Sequence, residues 1–85
     1  MLQSLRADKF LWHIRLFKSR SMAQAVIESG HIRINGIRME RTSHLVHIGD
    51  VITMPRGDEV IALRVIEIPN SRTNAIGAAA SYQRL

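Results

Sequence analysis

The chain has 85 residues, no cysteine and a formal net charge of +5. A chain of this length builds one small domain, which excludes a large enzyme with separate substrate and cofactor domains. The lack of cysteine excludes disulfides, zinc ribbons and thiol catalysis, and is compatible with a reducing compartment.

The positive charge is concentrated in the first two-thirds of the chain. Residues 1–56 contain nine of the 12 Lys and Arg residues and four of the seven acidic residues, whereas residues 57–85 are balanced. Ten of the cations are arginines, and the planar guanidinium group suits bidentate contact with phosphate. A polyanion is therefore the expected partner.

No targeting or membrane segment is expected. Charges at Arg6, Asp8 and Lys9 interrupt the N-terminal segment before an apolar run of signal-peptide length can form. The longest uncharged stretches are also well short of the roughly 20 residues that a membrane span needs. We expect a cytoplasmic protein with no membrane partner.

The first predicted element is a helix in which apolar residues recur at helical spacing from Phe10 to Phe17. Trp12 and Leu16 lie outside the main apolar arc and need a second partner. That partner is either the C-terminal segment, which we favour, or a nucleobase stacked on Trp12.

A second amphipathic helix is predicted between Ser19 and Gly30. Ser19 is a good N-cap, and Ala23, Val26 and Ile27 recur at helical spacing as an inward face. Gly30 follows the last periodic residue, where a left-handed backbone conformation commonly ends a helix.

A β-hairpin follows the second helix. Residues 31–34 alternate between apolar and polar, and Asn35-Gly36 favours a two-residue type I′ turn. If the isoleucines face a core, His31 and Arg33 lie on the opposite face and are free to meet a ligand.

The second half of the chain predicts further strands. A turn at Gly49-Asp50 leads into one strand, and a turn at residues 54–58 joins it to a longer strand over residues 60–68. Residues 69–85 are rich in Asn, Ser, Thr, Gly and Ala, which predicts a flexible tail.

Five short motifs occur in order along residues 6–53: Arg6-x-Asp8-Lys9-x-Leu11, Ser19-Arg20-Ser21-x-Ala23, Gly30-His31-Ile32, Asn35-Gly36 and Gly49-Asp50. Together they resemble the alpha-L RNA-binding domain named after the fourth protein of the small ribosomal subunit. Within that superfamily, residues 8–15 and 17–20 look most like the ribosome-associated fifteen-kilodalton heat shock protein family, with Trp12 as the distinguishing residue.

The resemblance implies an α+β fold in which two N-terminal helices pack on a small, mostly antiparallel sheet. The domain would occupy residues 6–68 and the tail residues 69–85. It further implies non-catalytic, cofactor-free binding of structured RNA, with ribosomal RNA of the large subunit as the target, in a heat-shock or ribosome-recycling role. We expect a monomer.

The expected RNA-binding surface combines the start of the second helix with the adjacent hairpin, because free amides and the helix dipole favour an anion there. Arg20 and Arg33 are expected to converge on one positively charged ledge. Recognition would be mainly of RNA shape through backbone and 2′-hydroxyl contacts. The candidate RNA-binding residues are Lys9, Arg15, Lys18, Arg20, Ser21, Gln24, Arg33, Asn35, Arg38 and Arg41.

Other interpretations stay open at this point. His44-x-x-His47 has plausible spacing for metal ligands, but no third ligand follows at a characteristic distance, so we expect no metal site. The patch of Trp12 and Leu16 could dock a protein partner, and phosphate contacts alone do not distinguish RNA from DNA. Several candidates also have ordinary structural uses: Asn35 suits a turn, and Ser21 suits a cap.

Overall fold

The computed structural model describes residues 2–85 and confirms the α+β class. The strands are short and the helices are of two or three turns. In chain order, the elements are β1 Ser4–Arg6, α1 Ala7–His13, α2 Arg20–Glu28, β2 Ile32–Ile34, β3 Ile37–Met39, β4 Leu45–His47, β5 Val51–Arg56, β6 Glu59–Val65, α3 Ala75–Ser81 and β7 Tyr82–Arg84.

The strands form two antiparallel sheets. The larger sheet has five strands in the order β3-β2-β5-β6-β7, and the smaller one pairs β1 with β4. Two hairpins, β2-β3 and β5-β6, supply most of the larger sheet. The sheet therefore follows from local turns plus two long-range pairings, that of β2 with β5 and that of β6 with β7.

Helix α1 ends earlier than the apolar periodicity predicts. The Leu16 amide donates to the Leu11 carbonyl and the Arg15 amide to the Trp12 carbonyl. These are the two hydrogen bonds of a Schellman motif. Arg15 occupies the left-handed position of that motif with φ of 64°. The chain turns there, so Leu16 and Phe17 pack on the core from a loop.

Helix α2 begins and ends as predicted. The Ser19 hydroxyl accepts from the Met22 amide at 3.1 Å, and Gly30 takes φ of 79° just after the helix. Ala23 and Ile27 are completely buried. The cap, the apolar stripe and the terminating glycine all act locally, so the sequence was sufficient to place this helix.

Both predicted hairpins are present. Asn35 and Gly36 have φ of 51° and 82° between the paired residues Ile34 and Ile37, as a type I′ turn requires. In the second hairpin, a turn centred on Gly57 connects β5 to β6.

The core lies between the helices and one face of the larger sheet. The two isoleucines of β2 are buried toward α1 and α2, whereas Arg33 between them is exposed. Strand alternation therefore gives this sheet a covered inner face and an outer face that is open to solvent. The largest fully buried side chains are Phe10, Leu11, Ile14, Ile27, Ile32, Met39, Ile52, Met54, Leu63, Ile68, Val46 and Val65.

The predicted flexible tail is not confirmed, because residues 75–84 form α3 and β7. Asn74 caps α3 by accepting from the Gly77 amide at 2.9 Å, and Ala78 is buried. Strand β7 then extends the sheet beside β6, with Tyr82 opposite Val65. An alanine-rich segment has high helix propensity, but the site on which it docks comes from distant parts of the chain.

The segment before α3 covers the end of α1. The guanidinium of Arg72 lies 5.2 Å from the centre of the Trp12 ring and donates to the Trp12 carbonyl at 2.7 Å. The Thr73 amide donates to the His13 carbonyl at 3.2 Å. Trp12 therefore packs on the C-terminal segment, as the sequence favoured, and is not presented as a free stacking platform.

Candidate nucleic-acid interface

A buried carboxylate, Asp8, joins the start of α1 to the first turns of α2. Its side chain has no exposed surface. Arg6 Nε donates to Oδ1 at 2.9 Å, while Arg20 Nε and Gln24 Nε2 donate to Oδ2 at 3.0 and 2.8 Å. The Lys9 amide completes the set with a bond to Oδ1 at 2.9 Å. Two arginines thus share one carboxylate, which leaves the cluster with net positive charge.

The surrounding donors keep Asp8 ionised. Burial alone would raise its pKa, but the hydrogen bonds from Gln24, Arg6, Arg20 and the Lys9 amide outweigh it and lower the pKa from 3.8 to about 2. The charge on Asp8 is therefore fixed at any physiological pH, and so is the orientation of both guanidinium groups.

Arg20 is held by one nitrogen and keeps two. Its Nε is engaged with Asp8, but neither terminal nitrogen of its guanidinium has a hydrogen-bond partner within residues 2–85. The side chain is 35% exposed. Arg20 thus presents a fixed pair of donors at the start of α2, a geometry suited to two oxygens of one phosphate.

The start of α2 adds unpaired backbone donors. The Ser19 hydroxyl accepts a hydrogen bond from the Met22 amide, and the Ser19 carbonyl accepts one from the Ala23 amide. The amides of Arg20 and Ser21 therefore have no partner in the described part of the chain, as is usual in a first helical turn. Ser21 is exposed beside them, and Lys18 is exposed just before the cap.

The segment after β3 brings further cations to the same side. The Asp8 amide donates to the Thr42 carbonyl at 3.2 Å, which fixes Arg41 next to the start of α1. Arg38 lies at the other end of α2, where its side chain runs past Gly30, and it forms a long ion pair of 3.8 Å with Glu40. We call the six cations along this side the basic surface: Arg6, Lys9, Lys18, Arg20, Arg38 and Arg41.

Arg33 lies on a different face from Arg20. It stands opposite Arg38 in β3 and opposite Thr53 in β5, on the outer face of the sheet. Helix α2 packs on the inner face, so the expected ledge of Arg20 with Arg33 does not form. The alternation that freed Arg33 from the core is the same alternation that turns it away from the helices.

Asn35 is used within the fold. Its side-chain nitrogen Nδ2 donates to Asp50 Oδ1 at 3.0 Å, and its side-chain oxygen Oδ1 accepts from the Val51 backbone amide at 2.9 Å. Asp50 Oδ2 in turn accepts from the His47 amide at 2.8 Å. The Asn35-Gly36 and Gly49-Asp50 motifs therefore form one connection between the first hairpin and β5.

Arg15 and Gln24 are also committed to contacts within the protein. Arg15 lies beyond the far end of α1 and donates to the Thr73 carbonyl at 3.2 Å, away from the basic surface. Gln24 is bound to Asp8, as described above. Of the ten predicted site residues, the structure gathers Lys9, Lys18, Arg20, Ser21, Gln24 and Arg41 near the start of α2. It places Arg38 beside the far end of α2 and opposite Arg33 in the sheet, and it separates Arg15, Arg33 and Asn35 from the start of α2.

Sequence reasoning missed two residues of this region, Arg6 and Asp8. Their spacing in the Arg6-x-Asp8 motif was the available signal, but the motif alone does not reveal that Asp8 is buried or that Arg20 is its second ion-pair partner. Asp8 does not cap the helix, because the N-cap of α1 is Arg6.

Two further structural findings concern other kinds of site. Within residues 2–85, no three His, Asp or Glu side chains lie close enough together to hold a metal ion. Over the same residues, none of the helices has both the length and the apolar character needed to cross a bilayer.

Residues 5–52 match the S4 domain, a span that covers more than half of the chain. The chain belongs to the S4 domain family. This span contains most of β1, both N-terminal helices, the first hairpin and the Asn35 to Asp50 connection. The family match therefore coincides with the part that builds the basic surface. The resemblance drawn from the five motifs is confirmed.

Relatives with two different names resemble this S4 protein. It is 35% identical over 81 residues to the heat shock protein 15 homolog of Haemophilus influenzae, covering 95% of this chain and 61% of that one. It is 36% identical over 67 residues to the RQC P-site tRNA stabilizing factor of Bacillus subtilis, covering 79% and 77%. The chain thus spans about three-fifths of the heat shock protein 15 homolog.

A solved structure shares the whole fold. Heat shock protein 15 of Vibrio cholerae, described as trimeric, superposes with a TM-score of 0.90 at 32% identity, over 96% of this chain and 82% of that one. The likeness therefore extends beyond residues 5–52 to nearly the whole chain. The trimer is a property of that relative, and the monomer expected here stays a prediction.

Proposed function

We propose that this S4 protein binds structured RNA of the ribosome without catalysing a reaction, and that the basic surface contacts the RNA backbone. Arg20 carries this proposal. Asp8 holds its Nε and leaves two nitrogens open beside the free amides of α2, so a phosphate would meet charge, paired donors and the helix dipole at one point.

Recognition would depend on shape. Arginines, lysines and amides bind phosphates irrespective of base, and the deep, narrow groove of A-form RNA prevents side chains from reading base edges. Arg38 lies beside the far end of α2, and the length of α2 is about 13 Å at 1.5 Å per residue. The basic surface is therefore long enough to contact more than one phosphate.

Ribosomal RNA of the large subunit is the first candidate target, in a heat-shock or recycling role like that suggested by the heat shock protein 15 relatives. Transfer RNA is the second. The relatives named RQC P-site tRNA stabilizing factor are covered over 77% and 88% of their length, compared with 59% for heat shock protein 15 of Escherichia coli.

The test replaces two exposed cations of the basic surface, Lys18 and Arg41, by alanine. Binding of the K18A/R41A variant to large-subunit RNA fragments and to transfer RNA is measured by fluorescence anisotropy over a range of salt concentrations. We expect weaker binding and a log–log salt slope that is smaller by about 1.4 to 1.8, because each lost phosphate contact removes about 0.7 to 0.9.

The matched control is the R64A/R84A variant, which loses the same two charges elsewhere on the sheet. Both of its arginines are exposed and lie outside the basic surface. It should keep the wild-type slope. Equal losses in both variants would mean that net charge, and not the basic surface, governs binding; duplex DNA as competitor distinguishes RNA preference from general nucleic-acid binding.

A further inference from the structure

We propose that a groove on the outer face of the five-stranded sheet holds one unpaired nucleotide of the bound RNA strand, with its base against Pro55 and Val60 and its phosphate on Arg33. The groove has a volume of about 220 Å³ and is lined by His31, Arg33, Thr53, Met54, Pro55 and Val60. The inference adds a second contact to the proposed function, on the face of the sheet that the basic surface reaches only at Arg38, the residue opposite Arg33.

The sheet register places four of the six lining residues, Arg33, Thr53, Pro55 and Val60, in two rows on the outer face. Arg33 stands opposite Thr53, and Thr53 opposite Ala62, which forms one row across β2, β5 and β6. Pro55 stands opposite Val60 two residues further along. The rows are separated by about 6.7 Å, since a strand rises about 3.3 to 3.4 Å per residue. The row of Arg33 and the row of Pro55 and Val60 are thus about as far apart as the phosphate and the base of one nucleotide.

The floor of the groove is low and its walls are tall. Thr53 and Ala62 are small, whereas Arg33 rises on one side and Val60, which is 74% exposed, on another. Pro55 and Val60 stand opposite each other in β5 and β6, and both are exposed apolar residues. Apolar side chains of this kind stack against the face of an unpaired base.

The polar groups suit a nucleotide. The Ser29 hydroxyl gives its proton to the Val26 carbonyl at 2.6 Å, so the contact of 2.7 Å between Ser29 Oγ and His31 Nδ1 requires Nδ1 to be the donor. With Nδ1 as the donor to Ser29, Nε2 is the ring nitrogen left for a polar group of the nucleotide, such as a base amino group or a 2′-hydroxyl.

Charge and size select against other occupants. None of the six lining residues in the described part of the chain is acidic, and the cationic Arg33 favours an anionic group. The volume is below the roughly 300 to 1,000 Å³ of typical small-molecule pockets, so a single ring system fits better than a larger ligand. An unpaired base next to a backbone phosphate meets both conditions, because the phosphate is anionic and the base is a single ring system.

The test uses the whole 85-residue chain and single-stranded RNA pentanucleotides of each base, which are too short to form a duplex. Binding is followed by amide chemical shifts in NMR spectra. We expect shifts concentrated at Arg33, Thr53 and Val60. Substitution V60E should weaken binding about tenfold or more, because it replaces an apolar contact with the base by a carboxylate that repels the phosphates of the strand.

The matched control is I76E, because Ile76 is also an exposed apolar residue, at 83%, and lies on α3 away from the groove. Thermal melting of both variants verifies folding. Substitution R33Q should lower the salt slope for pentanucleotides by about 0.7, the value for one phosphate on a single strand, whereas R64Q should leave it unchanged.

The outcomes separate this inference from the proposed function. Pentanucleotide binding that V60E weakens supports the groove, even if structured RNA fails to depend on Lys18 and Arg41. Three results would overturn the claim that the groove holds a nucleotide of an RNA strand. The first is equal binding by V60E and the wild type, and the second is chemical shift changes confined to α2. The third is binding of free nucleoside monophosphates as tight as that of the pentanucleotides.

Discussion

At the scale of single residues, Asp8 connects structure to the proposed function. It accepts hydrogen bonds from both Arg6 and Arg20, and it holds the second of these at the start of α2. Removing Arg20 would therefore both delete a candidate phosphate contact and leave a buried carboxylate short of a donor, which is costly. An alanine at position 20 cannot test RNA contact alone, and the proposed test uses the exposed Lys18 and Arg41 for that reason.

Asp8 should control acid stability. Its pKa is 3.8 in an unfolded chain and about 2 in the fold, so the unfolded state binds more protons between these values. The stabilisation is present above pH 3.8 and is lost as the pH falls through about 2. It amounts to about 2 kcal/mol, since one pKa unit corresponds to about 1.36 kcal/mol.

The measurement is urea unfolding of the wild type and the D8N variant from pH 6 to about pH 2. D8N should be less stable near neutrality and should lack this part of the acid dependence. The D58N variant, with its substitution in the exposed turn of the second hairpin, is the control and should retain it. A D8N curve parallel to that of the wild type would contradict the role assigned to Asp8.

At the scale of elements, the end of α1 is held in a costly conformation. Arg15 takes φ of 64° in a position that favours glycine. Within residues 2–85, its side chain contributes one exposed hydrogen bond, to the Thr73 carbonyl. The early end of α1 lets Leu16 and Phe17 turn back to the core. Apolar periodicity alone extends the helix past this point because it carries no information about the left-handed residue.

Substitution R15G should therefore stabilise the protein by about 0.5 to 1 kcal/mol, with the gain in backbone conformation outweighing the loss of a surface hydrogen bond. Substitution R15A removes the same guanidinium but keeps a Cβ atom, and it should be neutral or destabilising. Chemical denaturation of the three proteins measures the difference. A less stable R15G would mean that the Thr73 contact dominates.

At the scale of the whole molecule, the C-terminal segment completes the fold. His13 Nδ1 contacts the Pro69 carbonyl at 3.3 Å, and desolvation lowers the pKa of His13 from its usual 6.5, with the bond to Pro69 opposing and nearby cations assisting. The amides of Ile66 and Glu67 both donate to the Ser81 carbonyl. Residues 69–85 thus contact both the end of α1 and the edge of the larger sheet.

Truncation after Ile68 should lower the melting temperature by about 10 °C or more, since a loss of 1 kcal/mol shifts a domain of this size by about 4 to 8 °C. Hydrogen exchange on the full chain provides an independent measure, in which the amides of Ala78 and Leu85 should be protected by their bonds to Asn74 and Ala62. A flexible tail would instead exchange freely and melt unchanged on truncation.

The sequence by itself determined the elements whose signals are local. Ser19 and Gly30 mark the two ends of α2, and Asn35-Gly36 predicts a turn with positive φ angles. The order of five motifs along residues 6–53 identifies the S4 family. Caps, turns and periodicity act over a few residues, so one sequence contains all the information they need.

Only the tertiary structure decided which of these residues meet. Asp8 reaches Arg20, Asn35 reaches Asp50, and three strands bring Arg33 and Val60 to one groove. It also turned Arg33 away from α2 and docked α3 and β7 on the sheet. These contacts depend on strand register and on packing between segments 12 or more residues apart, and local propensity does not specify either.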